Sequence, residues 1–180
     1  MVAILKIARM GHPVLRVIAK PVADPTAPEI QQLIRDMLET LEDIGGVGLA
    51  APQVHVPLRV VIFEVPAKRA GDNAQPMTHL INPEIEILSK ETEEGWEGCL
   101  SVPGLAGVVQ RPTHIRYQGY APTGEKISRE AHGYHARVVM HECDHLDGVL
   151  YPMRMQDMSK LIFREEMRFW PETFAENLDD

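Results

Sequence analysis

Three observations in the sequence predict a mixed fold in which helices flank a mostly β middle. Apolar residues recur at helical spacing over residues 26–45, and short apolar runs bounded by turn residues fill the centre. The stretch leading into 141-HECDHLDGVLY-151 reads as a helix that is apolar on nearly every side, which marks it as buried.

Taken in order, the first helix presents Ile30, Leu33, Ile34, Met37, Leu38, Leu41 and Ile44 on one face, with Thr26 and Glu29 as a capping box and Gly45 as its end. RVVIFEV (59–65) and EIEIL (84–88) are expected strands, and PAKRAGDNAQPM between them a polar surface excursion. HIRYQGYA followed by PTGEKIS is expected to form a hairpin. A second helix should run from about Gly133 to Gly148 and a third over Met158–Trp170. After that, the acidic tail at 171–180 is expected to be flexible.

A chain of 180 residues suits one domain, and its 44% hydrophobic and 24% charged residues are a globular composition. No apolar run is long enough to cross a membrane, and the apolar start is broken by Lys6, Arg9 and Arg16, unlike an export signal. A net charge of -8 without clustered Lys and Arg argues against nucleic acid as a partner. Cys99 and Cys143 are too few to staple the chain, so a reducing compartment and a use in metal binding or catalysis are expected.

At about 100° per residue, His145 lies only about 40° around a helix from His141, so both imidazoles leave one stripe and can bind one ion. Glu142 falls beside the pair, where a carboxylate can handle the proton of a water on the ion without ligating the ion itself. Two neutral imidazoles suit zinc, iron, cobalt or nickel, and a divalent ion lowers the pKa of its water to about 7. Cys143, about 200° from His141, points into packing. Tyr134 and Val138 share the histidine side.

The third ligand is not in this motif. A longer pattern, HExxHxxGxxH, would place a histidine where Tyr151 stands. Glu165 or Glu166 from the third helix would complete a metallopeptidase centre, although both also fit the solvated face of an amphipathic helix. Cys99, in 97-EGCLSVPG-104, offers a thiolate beside a glycine. Four protein ligands would instead make the ion structural and the protein a binding module. The stretch 46-GVGLAAPQ-53 follows a helix, runs into Pro52 and lacks Gly-Lys-Ser/Thr, so it is neither a dinucleotide fingerprint nor a phosphate loop. Its small residues and Gln53 suit a tight loop against a substrate backbone.

GVGLAAPQ, EGCLS and HECDH, in that order, resemble the peptide deformylase family, over a stretch from ILKIARMGHPVLR to about Arg154. The resemblance implies an α+β fold with antiparallel β-sheets surrounding the central HExxH helix, an N-terminal helix before them and the C-terminal helix outside the motifs. It implies one divalent metal ion on Cys99, His141 and His145 with water in the fourth position, ferrous iron before zinc, nickel or cobalt. The implied reaction removes the formyl group from N-terminal formyl-methionine and releases formate. Glu142 would move the proton, and Gln53 and the Leu100 amide would donate to the oxyanion.

By the same resemblance, Val47, Gly48 and Gly98 would bind the peptide backbone, with Tyr134 and Val138 as candidate walls of a methionine pocket. The implied partners are N-formylmethionyl peptides and nascent chains, with transient ribosome association and no membrane, in a bacterial cytoplasm or an organelle. Met140 stands where the family often has glutamine, and Glu97 is expected to pair with Arg111 to brace the cysteine loop.

Overall fold

The structure, a computed structural model, describes residues 3–170; the acidic tail expected at 171–180 lies outside them. Helix α1 spans Pro28–Ile44 and opens on Ala27 without a side-chain cap. The predicted capping box does not form, because the Thr26 hydroxyl donates to Asp24 Oδ1 (2.7 Å) and Pro28 takes the first helical position, where it has no N–H to satisfy. At its other end α1 stops at Gly45, as the sequence predicts.

Five strands form one antiparallel sheet in the order β1 (Gly48–Ala50), β2 (Val60–Val65), β3 (Gln75–Ile87), β6 (His114–Tyr120) and β7 (Lys126–His132). The β2 sequence is apolar except for the half-buried Glu64, because both of its faces are covered. Val61, Phe63 and Val65 pack with Val139, Cys143 and Leu146 of helix α3 (Gly133–Leu146). Val60 and Ile62 pack with Ile30, Ile34, Met37 and Leu41 of α1. The sheet is thus held between two helices, and the HExxH residues are carried on a buried one.

A second antiparallel sheet, in the order β4 (Thr92–Cys99), β5 (Val102–Pro112) and β8 (Leu161–Phe163), closes over the outer side of α3. Between β2 and β3, the excursion holds a short helix, α2 (Ala67–Ala70), and ends at Ala74. The expected hairpin is β6 and β7, paired from His114↔His132 to Tyr120↔Lys126.

The third helix expected over Met158–Trp170 is not continuous. Residues Leu161–Phe163 instead pair with Leu105–Gly107 as an edge strand, flanked by 3-10 turns at Met158–Lys160 and Arg164–Phe169. Pairing with β5 and packing of Ile162 and Met167 against Trp96 outweigh the local helical pattern.

Candidate active site

Two backbone devices bring the site together. At the end of β4 the register slips: Gly98 faces Ala106, but the next residue, Cys99, faces Val102. Such a bulge re-aims a side chain, and here it leaves Cys99 beside the tight Leu100–Ser101 turn, with its thiol toward α3. On α3, the four-residue spacing of His141 and His145 sets their rings 5.1 Å apart, centroid to centroid. Cys99 Sγ lies 3.4 Å from His145 Nε2, and one ligand atom from each of Cys99, His141 and His145 falls within 4.8 Å of the others. Among the described residues no fourth histidine, cysteine or carboxylate joins that cluster. Glu165 and Glu166 are exposed and outside it, so nothing favours the metallopeptidase centre. Tyr151, at the position of the absent third histidine, stacks its ring on His141 instead (6.3 Å, 23°).

Behind the cluster of Cys99, His141 and His145 stands a buried ion network. Glu97, only 4% exposed, accepts from Arg111 Nε and Nη2 (both 2.9 Å), from Arg137 Nη1 (2.9 Å) and from His141 Nδ1 (2.8 Å). Burial alone would raise the Glu97 pKa, but Arg111 and His141 hold it well below the usual carboxylate range. An ionised carboxylate only accepts, so His141 Nδ1 carries a hydrogen and Nε2 is the nitrogen left to face an ion, which would take the place of a proton there. Arg111 also donates to Asp144 (2.7 Å), which Arg154 grips from outside (2.6 Å). The pairing of Glu97 with Arg111 is therefore present, and extends further than the sequence indicated. Arg137 and Asp144 were missed, yet they stand four residues before and three after His141, the spacing of one helix face.

The residues fit a divalent ion. A thiol and two imidazoles are the donors that zinc and iron take. The site's own electrostatics favour a cation: against the opposing effect of burial, Cys99 and Glu97 raise the His141 pKa well above its ordinary value. His145 moves the other way, lowered by burial and then by His141, so its ring is neutral and able to ligate. Glu142 lies beside them, 5% exposed, and burial pushes its pKa up to about 7. Its Oε2 has no hydrogen-bond partner among the described residues, which leaves that oxygen available to a water or a substrate. Gly48 makes room for it, because a Cβ there would lie 2.6 Å from the Glu142 carboxyl carbon.

The site opens into a cleft of about 970 Å³. Val47 and Gly48 line it on one side, Gly98, Cys99 and Leu100 on another, and Tyr134 and Val138 at the helix. GVGLAAPQ, expected as a tight loop, is instead a short strand followed by a tight turn. Gly48–Ala50 is a strand at the free edge of the larger sheet, and Ala51–Val54 a 3-10 turn. Gln53 (2% exposed) is set by that turn: Ala50 N–H donates to its Oε1 (2.8 Å), and its Nε2 points to Ser101 Oγ (3.2 Å) and Cys99 Sγ (3.4 Å). Ser101, the serine of EGCLS, was a further omission. So was Arg69 from the surface excursion, which lines the cleft and donates to the Tyr134 hydroxyl. Cys143 and Met140 are both buried in the apolar core, as read for Cys143, and burial drives the Cys143 thiol pKa up.

The profile of the polypeptide deformylase family matches residues 4–161. Peptide deformylase 1 of Bordetella pertussis is 55% identical over 161 residues, covering 88% of this chain and 92% of its own length. Peptide deformylase 2 of Ralstonia nicotianae is 51% identical over 175 residues, 96% of this chain and 98% of its own. Among solved structures, the class I type b peptide deformylase of Acinetobacter baumannii bound to Met-Ala-Ser superposes with a TM-score of 0.80 at 36% identity, over 86% of this chain and 100% of that one. The actinonin complex of the Ehrlichia chaffeensis peptide deformylase gives 0.81 at 32% identity, over 88% of this chain and 92% of that one. With the family profile spanning both the cysteine turn and the HExxH helix, the chain belongs to the polypeptide deformylases, metal-dependent amide hydrolases that remove the formyl group from N-terminal formyl-methionine.

Proposed function

We propose that this chain, in releasing formate from N-formylmethionyl peptides and nascent chains, holds one ferrous ion on Cys99, His141 and His145. The observation that carries this reading is the meeting of one sulfur and two imidazoles where Cys99, His141 and Glu142 line the cleft. When bound, the ion supplies Lewis acidity and lowers the pKa of water toward neutrality. Iron is preferred on the resemblance; the donor set also suits zinc, nickel and cobalt.

Glu142 takes the proton of the attacking water and returns it to the departing amine. A carboxyl group with a pKa of about 7 suits both halves of that exchange near neutral pH. Gln53 Nε2 and the Leu100 N–H donate to the formyl oxygen as it gains charge. Gln53 needs no reorientation, because Ala50 N–H already fixes its amide.

β1 and β4 are each the outer strand of a sheet, and the cleft lies between them. An extended peptide can add there as a strand, through Val47 and Gly48 on one side and Gly98 on the other. Its methionine side chain then meets Tyr134 and Val138. Because backbone groups do most of the holding, many sequences after the methionine are accepted. A thiol ligand suits the reducing cytosol of a bacterium or an organelle, where transient ribosome contact would deliver substrate.

Paired substitutions test the assignment. Glu142→Ala is expected to keep one ion per chain while formate release from formyl-Met-Ala falls by about a hundredfold or more; near-normal turnover would remove Glu142 from the mechanism. Cys99→Ser is expected to lose the ion and the activity together. Retention of both would overturn the ligand set.

A further inference from the structure

A second group of side chains able to ligate stands at the β7 edge of the larger sheet. In the β6–β7 hairpin His114 is directly opposite His132, and Arg116 is opposite Glu130. Alternation along a strand puts both pairs on one face. The imidazoles of His114 and His132 stack with centroids 3.9 Å apart and planes inclined by 22°. His114 Nε2 is 3.1 Å from Glu130 Oε2, and one ligand atom from each of His114, Glu130 and His132 falls within 4.8 Å of the others.

The His114–Glu130 separation has the span of a chelate. Two donors each about 2.1 Å from a shared ion lie roughly 3.0–3.4 Å apart, which is already the separation of His114 from Glu130. The carboxylate is held in place and ionised, since Arg116 Nη2 donates to its other oxygen (2.7 Å). Arg116 and then His114 draw its pKa down. An ion placed here would replace the proton between His114 and Glu130, and the exposed His132 ring would turn out of the stack to present a nitrogen to it, because stacked rings hold their lone pairs parallel. Two imidazoles and one carboxylate select zinc, copper or nickel over magnesium and calcium, which take oxygen donors.

We infer that His114, His132 and Glu130 form a second, surface site for a divalent transition-metal ion. None of the three lines the substrate cleft, so the site is separate from the deformylase centre. Arg116 orients the carboxylate, since it donates to the oxygen that His114 does not contact.

Protein whose cleft has first been loaded with zinc is titrated with further zinc by calorimetry, and bound metal is counted after removal of the excess. The native sequence is expected to take one further equivalent per chain. The double variant His114→Asn/His132→Asn is expected to take none, with formate release unchanged. Glu130→Gln should weaken the second equivalent by at least about tenfold, since it removes the ionised oxygen donor. The inference fails if the native protein takes no further zinc, or if the double variant takes as much as the native protein. A Glu130→Gln protein that binds as tightly as the native one would remove Glu130 as the third ligand.

Discussion

At Gly48 a missing side chain decides what Glu142 can do. A Cβ at this position would overlap the Glu142 carboxylate, so Gly48→Ala must push that group off its place beside the ligands. Displacements of about 1 Å at a reacting group cost on the order of a hundredfold in rate, while overpacking costs roughly 1–3 kcal/mol of stability. The variant is expected to keep its ion and lose about a hundredfold in kcat/KM; unchanged kcat/KM would mean that Glu142 is not held by this contact. Glu97 is the other residue on which much converges. Glu97→Gln leaves Arg111 and Arg137 buried with one carboxylate fewer, and losing one partner of a buried pair costs about 3–5 kcal/mol. Weaker orientation of His141 should also lower metal affinity by about 10-fold to 100-fold. Urea unfolding and a competition assay with a chelator check the two effects separately. Because its pKa is held low in the fold, the stability Glu97 contributes is complete above its ordinary value of 4.5. It drains away as pH falls through the folded value.

At the scale of elements, α3 carries both the ligands and a buried histidine that the site does not use. His135 packs against Phe63 and shares a hydrogen bond with Tyr117 (3.2 Å). Burial, and after it Arg129 and His132, push its pKa down from 6.5 to about 4. The unfolded chain therefore takes up a proton between those values that the folded chain refuses, so stability is complete above pH 6.5 and falls as pH drops toward 4. At about 1.4 kcal/mol per unit of displacement, the loss builds to about 3 kcal/mol. His135→Gln should flatten this part of the urea midpoint against pH; an identical slope in both proteins would contradict it. α1, the hairpin and α3 were legible in the sequence because each is specified by local periodicity and its own turn residues. β8 was not, because Leu161–Phe163 becomes a strand only when β5 offers an edge, and that pairing spans more than fifty residues.

At the scale of the molecule, function comes from three surfaces meeting: the edge of one sheet at β1, the edge of another at β4, and the face of α3 between them. The cluster of Cys99, His141 and His145 was legible because its residues stand in short motifs, HECDH and EGCLS, whose chemistry can be named before their distance is known. Ser101, Arg137 and Asp144 were not, since what they do depends on which neighbours the fold supplies. Gln53 shows both sides: its amide was read as a donor, but its fixed orientation comes from Ala50 N–H in a 3-10 turn that the glycine pattern did not reveal. X-ray absorption at the edge of the bound metal in the loaded protein tests the centre most directly. One sulfur at about 2.3 Å with two nitrogens at about 2.0–2.1 Å is the expected first shell. A shell of nitrogen and oxygen alone would show that Cys99 does not hold the ion.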